Sequence, residues 1–96
     1  MRVDYADPEW ERLATDASYL GKWHPAVIQK YREVILYLQI MRDRRSLYDW
    51  KGLQCEKLKG EKNRHSVRLD RRWRVYFAVK KIEKAECVVI LKIGKH

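Results

Sequence analysis

A chain of 96 residues supports one compact core, and a domain of this size buries only about 60 to 65% of the surface its unfolded chain exposes. The formal charge is +9 and it is unevenly spread: residues 1 to 24 set three cations against five carboxylates, whereas residues 57 to 74 set eight against two, a net +6. That concentration is the electrostatic footprint of a phosphate-binding surface. No apolar run approaches the ~18 residues needed to span a bilayer and no signal peptide opens the chain, so a cytoplasmic protein with no membrane partner is expected.

In chain order, Arg2 to Tyr5 reads as a short first strand. Asp7-Pro8-Glu9 then starts a helix: Asp7 caps free amides, Pro8 is tolerated in the first turn, and the acids sit at the positive end of the dipole. Trp10, Leu13 and Ala14 face inward, and the helix ends before Gly21. His24-Pro25 opens a second, longer helix by the same logic, with His24 as a cap. Val27, Ile28, Tyr31, Val34, Ile35, Leu38, Met41 and the stem of Arg42 recur at spacings of three and four, which carries it to Met41 or Arg42. Asp43 to Lys51 is a charged connection with room for another helical turn, anchored by Leu47, Tyr48 and Trp50 and closed by Gly52.

Beyond Leu53 the period becomes that of strands, at Cys55 to Leu58, His65 to Asp70, Trp73 to Val79 and Cys87 to Ile93. Short connections favour an antiparallel meander, with Lys80 to Ala85 as a charged hairpin loop. The expected class is α+β: one domain over residues 1 to 96, its N-terminal helices packed on a small twisted, mainly antiparallel sheet. Cys55 and Cys87 form no CxxC and have no ligand-spaced histidine beside them. Two buried reduced thiols are expected, with neither metal nor other cofactor.

The strand faces carry the functional argument. Alternation places His65, Val67 and Leu69 on one side of a strand and Ser66, Arg68 and Asp70 on the other. In the next strand Trp73, Val75, Phe77 and Val79 form an apolar set, leaving Arg74 and Tyr76 opposite. With the apolar sets under the long helix, Arg68, Arg74 and Tyr76 share an open surface, and the loop Lys59 to Arg64 forms its rim. Cations interleaved with aromatics on an exposed sheet suit stacked bases and phosphates.

The run Leu58-Lys59-Gly60-Glu61-Lys62, then Ser66-Val67-Arg68-Leu69, then Trp73-Arg74-Val75-Tyr76-Phe77, ending at a terminal histidine, resembles the HigB or plasmid-maintenance killer branch of the RelE/ParE toxin superfamily. The resemblance covers roughly residues 24 to 96. It implies the RelE/ParE fold and a type II toxin that cleaves mRNA in the ribosomal A site as a ribosome-dependent endonuclease. The implied partners are a cognate HigA-like helix-turn-helix antitoxin, the ribosome and mRNA, with operator DNA met only through the antitoxin. By position, Arg74 matches the arginine after the aromatic of the third strand, Arg68 falls near the basic residues of the preceding strand, and His96 matches the terminal histidine. Those three are the expected catalytic residues. Lys57, Lys59, Lys62, Arg64, His65, Arg71, Arg72, Tyr76 and Lys95 are the expected nucleic-acid contacts, with a structural or rim role favoured for His65. Ile93-Gly94-Lys95 departs from the acidic-tyrosine pair that HigB-like chains carry before the histidine.

Cleaving RNA by attack of a ribose 2′-hydroxyl needs a proton acceptor, cations for the phosphorane-like transition state and a proton donor for the leaving oxygen. An imidazole suits proton transfer near neutrality, and arginines hold phosphate oxygens in fork geometry. Two other readings fit the same residues. ParE-like members of the superfamily poison DNA gyrase, and a non-catalytic basic module would bind RNA or the ribosome by phosphate affinity alone.

Overall fold

The computed structural model describes residues 1–95; His96 lies outside the described residues. The elements run β1 (Arg2–Tyr5), α1 (Pro8–Thr15), α2 (Pro25–Ile40), the single turn α3 (Ser46–Asp49), a 3-10 turn over Lys51–Leu53, β2 (Glu56–Lys57), β3 (Arg64–Arg68), β4 (Trp73–Ile82) and β5 (Ala85–Lys95). The five strands form one sheet in the order β1-β5-β4-β3-β2. β1 joins β5 in parallel and every other pairing is antiparallel, so the α+β class and the mainly antiparallel sheet are as the sequence predicts.

Both helices begin as their capping residues dictate. Asp7 Oδ1 accepts from the Glu9 amide at 2.9 Å, and His24 Nδ1 accepts from the Ala26 amide at 3.1 Å, each followed by a proline in the first turn. α2 lays Val27, Ile28, Tyr31, Val34, Ile35 and Leu38 across the sheet, against Val67, Val75, Phe77, Val79, Val88, Ile90 and Ile93. The Tyr31 hydroxyl finds its partner in the Trp10 carbonyl at 2.8 Å, which locks α1 to α2. Trp23, in the link between those helices, meets Trp73 edge-on at 4.9 Å and Trp10 at 6.4 Å, tying the link to the start of β4.

Four expectations are corrected. β4 runs on to Ile82 and β5 starts at Ala85, because Lys80 pairs with Cys87 and Lys81 with Glu86; only Glu83 and Lys84 turn the hairpin, Glu83 at a φ of 57°. Lysine and glutamate are depleted in strands, so the charge run reads as a loop. α2 stops at Ile40 and Arg42 is exposed rather than packed along its stem. In the connection only Leu47 is a buried anchor; Tyr48 and Trp50 are 47% and 37% exposed and hold on by one side each, Tyr48 to His65 at 2.6 Å and Trp50 to Tyr37 with centroids 5.1 Å apart. Both cysteines are free thiols, and Cys87 is buried while Cys55 is half-buried.

Candidate functional site

The helices cover one face of the sheet and leave the other open. Register defines that open face: Glu56 on β2 pairs with Ser66 on β3, Ser66 with Tyr76 on β4, and Tyr76 with Lys92 on β5; the next rung brings Arg68, Arg74 and Gly94 into line. Arg64 lies at the other end of β3 on the same face. Period-2 alternation sets this face for Ser66, Arg68 and Tyr76, each of which sits between buried residues of its own strand.

Arg74 is on the open face of the sheet but is not exposed. At 3% exposure its guanidinium is covered by the chain at Gln54, a residue in the left-handed conformation with φ of 50°. Nε donates to the Ser66 hydroxyl at 2.8 Å, and Nη2 donates to the carbonyls of Gln54 at 2.9 Å and Ser66 at 3.2 Å. Nη1 faces Glu56 Oε1 at 3.9 Å. A buried, fully oriented cation thus backs an exposed carboxylate. Arg68 is exposed, donating from Nε to the Asp70 carbonyl at 3.2 Å and from Nη1 to Gln54 Oε1 at 3.4 Å.

Tyr76 is half-buried. One edge of its ring lies against Gly94, where a Cβ would stand 3.3 Å from Cε1, and its hydroxyl donates to the Lys95 carbonyl at 2.9 Å. Lys92 Nζ lies 5.2 Å from the ring centroid. Arg71 and Arg72 sit at the β3–β4 turn, which Asp70 closes by accepting from the amides of Arg72 at 2.8 Å and Trp73 at 2.7 Å. Lys59 and Lys62 are exposed on the β2–β3 loop, where Arg64 reaches Glu61 at 3.7 Å.

Three expected nucleic-acid contacts lie elsewhere. Lys57 pairs with His65 and Lys95 with Trp73, which puts both on the helix-covered side of the sheet. His65 is 3% exposed, stacked on Phe77 at 5.7 Å with Nδ1 2.6 Å from the Tyr48 hydroxyl. It is a core residue and cannot touch RNA. Burial, together with the Arg44 and Lys57 cations, holds its pKa below the usual histidine value, and Glu86 opposes them. His96, the expected proton-transfer group, falls outside the described residues.

Sequence reasoning passed over Glu56 and Lys92, and took Gly94 only as a departure from the HigB-like ending. Glu56 is one acid amid a cationic stretch, and the excess charge around it hides it. The signal that finds it is the pairing of β2 with β3, which only the fold supplies. Burial pushes the adjacent Cys55 thiol up to about 11, so it is no nucleophile at neutral pH. Among the described residues no cluster of histidine, cysteine and carboxylate side chains could hold a metal ion, and no helix is long and apolar enough to cross a membrane.

No protein-family model matches the chain, and no curated protein matches it. Among solved structures it is similar to the YoeB/ParE toxin from Agrobacterium tumefaciens, with a TM-score of 0.57 at 16% identity over 100% of this chain and 99% of that one. It is also similar to the conserved hypothetical protein HP0894 from Helicobacter pylori, with a TM-score of 0.51 at 18% identity over 100% of this chain and 94% of the other. Likeness at these identities is likeness of fold. Two helices over one face of a five-stranded sheet, with the opposite face open and basic, give this chain the fold of the RelE/ParE toxins.

Proposed function

We propose that the chain is the toxin of a type II toxin–antitoxin pair and acts as a ribosome-dependent mRNA endonuclease on the open face of its sheet. The observation that carries the reading is Glu56, an exposed carboxylate 3.9 Å from a buried, hydrogen-bonded arginine on a strongly basic surface. Glu56 takes the proton of a ribose 2′-hydroxyl. The 2′-oxygen then attacks the adjacent phosphorus, the bond to the 5′-oxygen breaks, and a cyclic phosphate and a new 5′-hydroxyl result. Arg68, exposed beside the site, holds the phosphate oxygens. Arg74 is a positioning residue, because its covered guanidinium acts through Glu56 and Ser66. His96 supplies the proton for the leaving oxygen.

With so few acid–base groups, alignment of the RNA must come from outside, which is the role of the ribosome. Cytoplasmic location, and inhibition by a HigA-like antitoxin that carries the operator contacts, belong to the same reading. The test is to add the protein to a translation extract and map mRNA ends by primer extension, with and without ribosomes. Cuts that need ribosomes are expected, and Glu56→Gln should slow them by about 10² to 10⁴. Intact mRNA together with gyrase-dependent DNA breaks would overturn the reading in favour of a gyrase poison.

A further inference from the structure

Beside the Glu56–Arg74 pair, and used by none of the steps above, is a groove of about 370 Å³ lined by Leu58, Glu61, Arg64, Tyr76, Leu91 and Lys92. We propose that this groove holds one unpaired nucleobase of the RNA, stacked on Tyr76, with Glu61 reading its edge; the inference rests on the open face being the RNA surface.

The groove is built by an irregularity. Phe77 pairs with Ile90 but Tyr76 pairs with Lys92, so Leu91 is an extra residue in β5. Such a bulge re-aims side chains beside a site. Here it gives the groove both an apolar wall, Leu91, and a cation, Lys92, from consecutive positions. Leu58 supplies the facing wall from the β2–β3 loop. The volume is at the low end for small-molecule sites and suits a single base.

Tyr76 is fixed before anything binds. Its ring edge rests on the space left by Gly94, and its hydroxyl is held by the Lys95 carbonyl at 2.9 Å. An aromatic face oriented in advance stacks any base without the cost of ordering a free side chain. Lys92 Nζ lies over the Tyr76 ring, 5.2 Å from its centroid, and Arg64 pairs with Glu61 at 3.7 Å, so an arriving base displaces the ammonium from the ring and releases both cations to its flanking phosphates.

Glu61 is the group that a phosphate site would not contain. A carboxylate is acceptor-only and repels phosphate, but it accepts from base-edge N–H groups in charge-assisted bonds. Guanine offers two parallel donors, N1–H and N2–H, to its two oxygens, so guanine is the base that the groove favours. Glu56, Ser66 and Tyr76 share one rung of the sheet, two strand spacings or about 10 Å across, which sets the stacked base next to the bond being cut.

The experiment uses fluorescence anisotropy of labelled RNA tetranucleotides with the isolated protein at low salt. Replacing one base by an abasic residue should weaken wild-type binding about 5- to 150-fold, the range of a single stacking contact. Tyr76→Leu should cause the same loss on intact RNA and no further loss on abasic RNA, whereas Tyr76→Phe should bind within threefold, about 0.6 kcal/mol, of wild type. The guanine tetranucleotide should bind most tightly, and Glu61→Ala should level the four bases. Abasic RNA bound as tightly as intact RNA, or no RNA bound at all, overturns the pocket, and the abasic arm holds even if Tyr76→Leu fails to fold. Equal affinity of wild type for all four bases overturns the role of Glu61. Because no cutting is measured, base-dependent binding with no ribosome-dependent cleavage would refute the nuclease and keep the pocket. Cleavage with abasic-insensitive binding would do the reverse.

Discussion

With Nε on the Ser66 hydroxyl and Nη2 on two main-chain carbonyls, Arg74 is a structural residue as well as a charge near the chemistry. Truncation strands two buried acceptors on Ser66 and a part-buried one on Gln54, so Arg74→Ala should lower the free energy of unfolding by about 2 to 4 kcal/mol in a urea titration, apart from any loss of cleavage. The same fixing explains why sequence reasoning, which reads faces from alternation, placed Arg74 in solvent: the cover comes from Gln54, twenty positions upstream in a left-handed turn. His65 shows the opposite balance. Alternation put it with Val67 and Leu69, and there it is, which makes it unfit for the RNA contact that its basic neighbourhood suggested. Its pKa is held down by burial first and then by Arg44 and Lys57, so the unfolded chain takes up a proton that the folded one refuses. Stability should be full above about pH 6.5 and fall as pH drops below it, down to the depressed folded value. The carboxylates with lowered values, Asp4, Asp16, Asp43 and Glu86, lose their contribution only at lower pH, from about 4.5 downward. Thermal melts between pH 7.5 and 5 should therefore show a decline in wild type that is largely absent in His65→Phe, and parallel curves would refute the assignment.

At the scale of elements, the strand β5 decides the open face. The sequence predicts its existence from a short apolar run, Cys87 to Leu91, and the helices α1 and α2 from their capping residues and three-four spacing, since these signals are local. Its bulge and its parallel partner β1 are not local: the first needs the register with β4, the second an encounter between the two ends of the chain. Gly94 gains its meaning there. Unlike a turn glycine it needs no special backbone angle; what it provides is room for Tyr76. A methyl at that position would press on the ring at 3.3 Å, a contact the ring meets with a small shift. A branched side chain would displace it. Gly94→Val is expected to bind RNA as weakly as Tyr76→Leu while melting within a few degrees of wild type, and Gly94→Ala should fall between Gly94→Val and wild type. Anisotropy and calorimetry on the three proteins check the order.

For the whole molecule, the relevant quantity is where the +9 lies. Arg64, Arg68 and Lys92 share the open face, while Lys57 and Lys95 belong to the other side and Arg71 and Arg72 to the turn at one end. Counterion release makes the logarithm of RNA affinity fall linearly with the logarithm of salt, by about 0.7 for each phosphate neutralised on a single strand. Removing Arg68 or Lys92 should flatten that slope by about 0.7 each, removing Lys57 or Lys95 should leave it unchanged, and Tyr76→Leu should lower affinity at every salt concentration without changing the slope. A slope that responds equally to all five substitutions would mean that the charge acts as a diffuse cloud with no bound path.

The extra residue in β5 also bears on how the chain tolerates changes in length. Losing one residue from a central strand ordinarily exchanges inside for outside along everything that follows. Here Ile90 and Ile93 face the core and Lys92 and Gly94 do not. Omitting Leu91 would leave that order intact and bring Lys92 into regular sequence after Ile90. The strand is therefore open to a one-codon loss that spares the core and costs only a wall of the groove.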